Sequence, residues 1–286
     1  MEILRLNACD PSALQAALPR VAAVVNCITG DADTIVSSAR ALFQSCAGMS
    51  PPPRIIHLST MMVYGTATGT VDETTRLRGD WDAYSAAKTE VERMAGAYPA
   101  VVNLRPGIVY GPGNPIWTQG IAQWLCAGRL GDLGQAGLGY CNLVHVDDVV
   151  QAIMRALRLP GIEGEAFNLS LPAPPTWNDY FAQFAAALET PFVAVSHTRL
   201  QMELSLLAPP LKLAQILTSA LRLPWQTPAP IRPWLLRLCG HPIRLDVRKA
   251  ERVLGMQWIP LEAGLRQAAD WVRAAATTDQ GRKRAA

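Results

Sequence analysis

Short apolar, β-branched runs alternate with segments of helical periodicity through the first half of the chain. Runs of four to eight such residues bounded by turn residues are typical of strands, and apolar positions three and four apart are typical of helices. The alternation predicts an α/β fold with a parallel sheet, which binds ligands at the carboxyl ends of its strands. The predicted strands are Ile3–Leu6, Ala22–Ile28, Arg54–Leu58, Ala100–Leu104 and Asn142–Val146, and the predicted helices are Pro11–Ala17, Thr34–Cys46 and Ala83–Gly96.

The second half of the chain has a different pattern, rich in Pro, Leu, Trp and Ala. Helical periodicity covers Trp177–Glu189, Gln201–Arg222 and Leu261–Ala275, and proline-rich breaks at 209–210 and 224–233 interrupt it. We therefore predict two domains: residues 1–170 hold the parallel sheet, and residues 171–286 form a smaller, mainly helical domain.

Composition narrows the class of protein. The chain has 286 residues, of which 50% are hydrophobic and 17% charged, with a net charge of +3, so we expect it to fold into a packed core rather than remain disordered. The weak, dispersed basic excess gives no reason to expect a nucleic-acid partner. No apolar run is long enough to span a membrane and the first residues lack a secretory signal, so we expect a cytoplasmic protein.

The six cysteines are scattered, with no Cys-x-x-Cys pair and no histidine at ligand spacing. This usage predicts neither a metal site nor a disulfide framework. Cys27 lies in an apolar run, and we interpret it as a small buried hydrophobe.

Tyr84 and Lys88 are the pair that indicates chemistry. Residues four apart lie on one face of a helix, so the ammonium of Lys88 is expected near the phenol of Tyr84. A nearby cation favours the phenolate and lowers the tyrosine pKa, which would make Tyr84 a general acid/base. By itself this spacing also fits an exposed helical pair.

The surrounding motifs make the pair more specific. The apolar strand Ile55–Leu58 ends in Ser59-Thr60, the Tyr-x-x-x-Lys pair follows, and residues 105–113 read Arg-Pro-Gly-Ile-Val-Tyr-Gly-Pro-Gly. Further motifs are Val-His-Val-Asp-Asp-Val at 144–149, Ala-Phe-Asn-Leu at 166–169 and Ala-Glu-Arg-Val-Leu-Gly at 250–255. Together they resemble the extended short-chain dehydrogenase/reductase family, also called the NAD-dependent epimerase/dehydratase family, over almost the whole chain.

This resemblance implies a Rossmann-like sheet in residues 1–170, NAD or NADP as cofactor, a small-molecule substrate and a homodimer. It implies that Thr60 hydrogen-bonds the substrate oxygen, with Ser59 the weaker candidate, that Tyr84 moves the proton, and that Lys88 lowers the Tyr84 pKa and holds the nicotinamide ribose. The cofactor contacts it implies are Asn7 or Asp10 at the adenine, together with Ser59, Tyr84, Lys88, Arg105 and Pro106.

The glycine-rich turn that holds the dinucleotide pyrophosphate in this family has no counterpart in the sequence, so NAD(P) binding by these 286 residues is in doubt. Without the central first strand, the strand Ala22–Ile28 would keep a bare edge. Three interpretations remain open: the start is set too late in a longer protein, the chain is a decayed remnant, or the sheet closes again with Ile3–Leu6 beside Ala22–Ile28. We favour the first for the biology and the third for the chain as written.

The substrate is constrained by residues that differ from the family pattern. Dehydratases of the family carry Asp-Glu after the threonine, where Met61 and Met62 stand here, and Ile108 and Cys141 replace residues that hold a sugar diphosphate. Met61 and Ile108 are the predicted substrate contacts.

The prediction is an NAD(P)-dependent oxidoreductase or epimerase of a secondary alcohol or ketone, on a sugar or an apolar, steroid-like substrate. The alternative is a non-catalytic homologue that binds a ligand or partner without a dinucleotide. The leucine-rich stretch 204–223 would suit an apolar pocket or a weak membrane-surface contact, although ordinary packing is the more common use of such a stretch.

Overall fold

The computed structural model describes residues 3–196, 231 and 233–284. The chain forms two compact units, each assembled from several stretches: Met1–Gly107, Asp147–Pro172 and Leu245–Gln257 make the first, and Ile108–Val146, Ala173–Arg244 and Trp258–Ala286 make the second. The predicted boundary at residues 170 and 171 stays a prediction. The predicted helix Gln201–Arg222 and the leucine-rich stretch lie outside the described residues.

The first unit is built on a four-stranded parallel sheet, which confirms the predicted α/β class. Its strands are β1 (Ala23–Asn26), β2 (Arg54–Leu58), β4 (Val101–Pro106) and β7 (Ala166–Leu169), and they lie side by side in that order. In register, Asn26 pairs with His57, His57 with Asn103, and Arg105 with Asn168. The short strand β3 (Gly69–Val71) belongs to the same unit.

Helices α1 (Pro11–Ala17), α2 (Ala32–Ala47), α3 (Ala83–Ala95) and α5 (Val146–Arg158) accompany the sheet. Three of them begin at an aspartate whose carboxylate accepts a backbone N–H, and this stabilises each helix start by roughly 1 kcal/mol: Asp10 for α1, Asp31 for α2 and Asp82 for α3. Apolar side chains of α1, α2 and α3 pack with Ile55 of β2 and Val101 of β4 into one core. Because α2 starts at its cap, it begins two residues before the predicted start.

The predicted strand Ile3–Leu6 is wrong. Residues 3–7 have no regular secondary structure, and the side chains of Ile3, Leu4 and Leu6 are 78%, 58% and 40% exposed. A lone strand gains stability only from cross-strand pairing and a buried face, and this segment has neither. Among the described residues, strand β1 pairs with β2 only, so its other edge is open. The expected closure of the sheet by Ile3–Leu6 beside β1 is therefore wrong.

The second unit contains the parallel pair β5 (Ile108–Tyr110) and β6 (Leu143–His145), which confirms the strand predicted at 142–146. Its helices are α4 (Ile121–Cys126), α6 (Trp177–Ala187), α7 (Pro233–Cys239) and α8 (Leu261–Arg284). The strand β8 (Ile243–Leu245) begins in this unit, at the end of the stretch Ala173–Arg244. Helix α6 buries an aromatic face at the spacing expected for one side of a helix, namely Trp177, Tyr180, Phe181 and Phe184. Helix α8 continues beyond its predicted end at Ala275.

Candidate active site

Thr60, Tyr84 and Lys88 come together in the first unit, at the carboxyl ends of β1 and β2. Thr60 follows β2 and caps the short helical turn Met61–Tyr64, its hydroxyl accepting the N–H of Met62 at 3.2 Å. Tyr84, in the first turn of α3, lies near enough for the Thr60 hydroxyl to act on the pKa of its phenol. An alcohol and a phenol at this edge of a parallel sheet are placed where such folds bind ligands.

The start of α3 fixes the position of Tyr84. Asp82 and Ser85 form a reciprocal capping box: the Asp82 carboxylate accepts the N–H of Ser85 at 2.8 Å, and the Ser85 hydroxyl accepts the N–H of Asp82 at 2.9 Å. The helix cannot shift in register without breaking both bonds. Tyr84 therefore has a defined place, one residue after the start of the helix.

Lys88 lies one turn further along α3 and is only 3% exposed. Its Nζ donates to the backbone oxygens of Ile28 at 3.2 Å and Leu58 at 2.9 Å, so it links the residues that follow and end β1 and β2. Burial lowers the pKa of Lys88 to about 8, against the opposing effects of Cys27 and Glu92. An ammonium has three donors, and these two carbonyls leave one for a ligand.

The expected lowering of the Tyr84 pKa by Lys88 is not found. Burial raises the pKa of Tyr84 above its ordinary value, while the neighbouring Thr60 hydroxyl acts in the opposite direction. The Nζ atom of Lys88 lies 6.0 Å from the centroid of the Tyr84 ring, and its charge is directed to the two carbonyls. The spacing of four residues brought the side chains to one helix face without bringing the ammonium to the phenol oxygen.

Ser59 and Thr60 have different partners. The Ser59 hydroxyl donates to the Glu92 carboxylate at 2.5 Å, away from Tyr84. The same carboxylate accepts Arg105 Nε at 3.0 and 3.1 Å and Arg105 Nη2 at 2.6 Å. The side chains of Arg105 and Glu92 are 6% and 3% exposed, so this is a buried ion pair. Burial alone would lower the pKa of Arg105, but the bonds and charge of Glu92 raise it overall.

The other predicted site residues are placed as follows. Asn7 and Asp10 lie in the exposed turn before α1, where their side chains accept the N–H groups of Cys9 and Ser12. Arg105 lies in the ion pair with Glu92, and Pro106, the last residue of β4, is buried. Met61 and Ile108, the expected substrate contacts, are 3% and 5% exposed, and Ile108 is in the second unit.

His57 and Cys27 lie near the site, and their burial decides how each is interpreted. His57 on β2 is 1% exposed, and burial, followed by the charge of Lys88, lowers its pKa to about 3. It is therefore a neutral packed histidine, held at 3.3 Å from the Asn26 amide. The prediction that Cys27 is buried is wrong, because its side chain is exposed just beyond the open-edged strand β1.

Sequence reasoning missed Glu92, Tyr64, Glu73 and Asn168. Arg105 Nη1 donates to the Tyr64 hydroxyl at 2.9 Å and to the Glu73 backbone oxygen at 3.2 Å, and Tyr64 donates to Asn168 Oδ1 at 2.7 Å. One signal was available: Glu92 follows Lys88 by four residues, on the same helix face, and a buried strand arginine needs an acidic partner.

The sequence model of the NAD dependent epimerase/dehydratase family matches residues 2–170, more than half of the chain. The chain belongs to this family. A curated relative, Protein YeeZ of Escherichia coli strain K12, is 35% identical over 138 residues, which cover 48% of this chain and 46% of the relative. The matched region thus spans about half the length of that relative.

Solved structures of this family share the fold. The dTDP-glucose 4,6-dehydratase of Bacillus anthracis in complex with NAD aligns with a TM-score of 0.71 at 19% identity, over 96% of this chain and 80% of that one. The human epimerase family protein SDR39U1 with NADPH gives 0.67 at 18% identity, over 91% and 86%. The UDP-glucuronic acid 4-epimerase of Bacillus cereus in complex with NAD gives 0.69 at 18% identity, over 92% and 78%.

The described residues contain neither a membrane-spanning helix nor a cluster of metal-binding side chains. In residues 3–196, 231 and 233–284, no helix is long and apolar enough to cross a membrane. Over the same ranges, no three His, Cys, Asp or Glu side chains gather as a metal site would require.

Proposed function

We propose that this member of the epimerase/dehydratase family is built for redox or epimerisation chemistry at a secondary alcohol or ketone. The observation that carries the proposal is that Thr60 and Tyr84 lie near each other at the end of β2, with Lys88 one helical turn further along α3. The Thr60 hydroxyl orients the substrate oxygen, and Tyr84 gives or takes the proton at that oxygen. NAD(P), when bound, supplies or accepts the hydride.

The residues present fit one half of such a cofactor. Lys88 has a donor left for a ribose hydroxyl, and its two carbonyl bonds hold it rigidly at the ends of β1 and β2. The described turn from β1 to α2 has a single glycine, Gly30, and no glycine-rich series of N–H groups that would hold a pyrophosphate. Among the described residues, the fit therefore extends to the nicotinamide ribose.

The missing cradle sets the expected affinity of these 286 residues. Each charge-assisted hydrogen bond to the pyrophosphate contributes roughly 1.5–3 kcal/mol, so losing two or three weakens a micromolar complex by something like 10³-fold, toward millimolar. We expect NADH and NADPH to bind too weakly for turnover. The second candidate is a non-catalytic homologue that binds a ligand or partner without a dinucleotide.

A titration of the purified chain by ligand fluorescence and calorimetry separates the two candidates. If only the nicotinamide half is formed, reduced nicotinamide mononucleotide should bind about as well as NADH, and ADP-ribose should not bind. Lys88→Met should abolish the mononucleotide signal, whereas Lys249→Met, whose ammonium pairs with Glu165, should keep it. Tight, saturable NADH binding would show that another segment replaces the cradle.

The substrate class is a further proposal. Met61 and Met62 cannot transfer protons, which argues against dehydration, and Ile108 and Cys141 are buried apolar residues at positions where the family holds a sugar diphosphate. We propose an apolar ketone or alcohol in preference to a nucleotide sugar. Micromolar binding of a uridine- or thymidine-diphosphate sugar would overturn this preference. The homodimer, the cytoplasmic location and the division at residues 170 and 171 are proposals from the sequence.

A further inference from the structure

A buried acid–base cluster lies directly behind the Thr60–Tyr84 pair. Its centre is the Glu92 carboxylate, which accepts one hydrogen bond from Ser59 and three from Arg105. Glu92 is 7% exposed and Arg105 5%. Charge-assisted bonds in such surroundings are short and strong, so the groups that they join have little freedom to move.

The cluster holds the segment that carries Thr60 at two points. Ser59 precedes Thr60 and is bound to Glu92. Tyr64 ends the helical turn that Thr60 caps, and its hydroxyl accepts Arg105 Nη1 at 2.9 Å while donating to Asn168. The guanidinium carbon of Arg105 also lies 5.3 Å from the centre of the Tyr64 ring. The segment is thereby tied to α3 on the Ser59 side of Thr60 and to β4 and β7 on the Tyr64 side.

The same carboxylate belongs to the helix that carries Tyr84. Residues 84, 88 and 92 follow one another at intervals of four along α3, so their side chains project from one face. Glu92 therefore joins the tyrosine helix to the threonine segment through a side-chain bond, one residue along from the Lys88–Leu58 bond. No other described hydrogen bond links the side chain of Ser59 to α3.

We propose that Glu92 is a positioning residue: through Ser59 and Arg105 it sets the distance between the Thr60 hydroxyl and the Tyr84 phenol. This inference rests on the proposed function, in which that hydroxyl pair handles the substrate oxygen. It adds a residue that touches neither substrate nor cofactor and that acts through the placement of Thr60.

The test measures the Thr60–Tyr84 contact directly. Tyrosine labelled with ¹³C at Cζ reports the hydrogen bonding of each phenol, and Tyr84→Phe identifies the Tyr84 resonance among the six tyrosines. Thr60→Val marks the position of that resonance when the effect of the Thr60 hydroxyl is removed. In Ser59→Ala and in Glu92→Gln we expect the Tyr84 resonance to move at least half of the way toward the Thr60→Val position.

The control is Glu90→Gln, on the same helix, whose side chain is 45% exposed and pairs with Arg93 at the surface. It should leave the Tyr84 resonance in place. Ser59→Ala keeps the Glu92–Arg105 ion pair, so it decides the question if Glu92→Gln does not fold. An unmoved Tyr84 resonance in a folded Ser59→Ala protein would overturn the proposal. The spectrum needs neither cofactor nor substrate, so a failure of the proposed function would be seen separately, as a lack of ligand binding and turnover.

Discussion

The Glu92–Arg105 ion pair offers a quantitative test of the fold. Glu92→Leu leaves the buried Arg105 guanidinium with the Tyr64 hydroxyl and the Glu73 backbone carbonyl as its hydrogen-bond partners among the described residues. Arg105→Met leaves a buried carboxylate facing Ser59. In either case one charge loses its counter-charge in surroundings from which water is largely excluded.

The magnitude follows from this burial. Breaking a buried ion pair from one side costs about 3–5 kcal/mol, because the remaining charge is desolvated and unpaired. Replacing both partners by apolar residues of similar size removes both desolvation costs. Ser59, Tyr64 and the Glu73 backbone carbonyl then each lose a bond, at about 1 kcal/mol per bond. We therefore expect the double variant to lose about 3 kcal/mol, well below the sum of the two single variants.

Urea unfolding, followed by far-ultraviolet circular dichroism, gives the free energies of the wild type, both single variants and the double variant. The surface pair Glu90–Arg93, at 3.5 Å with side chains 45% and 62% exposed, is the matched control. Its Glu90→Ala variant should lose no more than about 1 kcal/mol. Single variants that lose less than about 1 kcal/mol, or a double variant as unstable as the sum of its parts, would refute the reasoning.

Three further outcomes are expected. Tyr84→Phe should lower kcat by roughly 10²-fold or more with cofactor affinity little changed, in any longer form of the protein that turns over, and near-full turnover would reject the role of Tyr84. The folded-state pKa of Lys88, about 8, lies below that of an unfolded lysine, so the unfolded chain binds more protons between pH 8 and about 10.5. The free energy of unfolding, measured relative to Lys88→Met, should therefore rise across that range by on the order of 3 kcal/mol. Equal pH profiles for the two proteins would contradict this. The open edge of β1, with Val25 39% exposed, should make the chain self-associate in sedimentation experiments. Val25→Lys should reduce this association. A wild type that stays monomeric at high concentration would argue against this explanation.

Much of the site was predictable because its determinants are local. Tyr84 and Lys88 share a helix face by their spacing, and Asp82 and Ser85 cap that helix within a single turn. Strand β2 and helix α1 have the predicted bounds, since alternating or periodic apolar residues and a capping aspartate are all contained in the elements themselves. The family motifs also lie within short stretches, and the family match covers those up to residue 170.

Other features needed partners far away in sequence. Ile3–Leu6 has the composition of a strand, yet a strand exists only where a neighbour pairs with it, and among the described strands β1 pairs with β2 alone. The pKa of Tyr84 depends on the position of the Lys88 ammonium. That ammonium is held by the backbone carbonyls of residues 28 and 58, at the ends of two strands.

The sequence by itself thus determined the α/β class and the family, because periodicity, caps and motif spacing act over a few residues. The threonine–tyrosine–lysine set stays a prediction of the same motifs. Only the tertiary structure decided that Arg105 is bound by Glu92 rather than offered to a cofactor, and that Tyr64 joins Asn168, which is 104 residues away. Such pairs form because a buried charge or hydroxyl must find a partner wherever the folded chain brings one. Short-range patterns carry no record of which partner that will be.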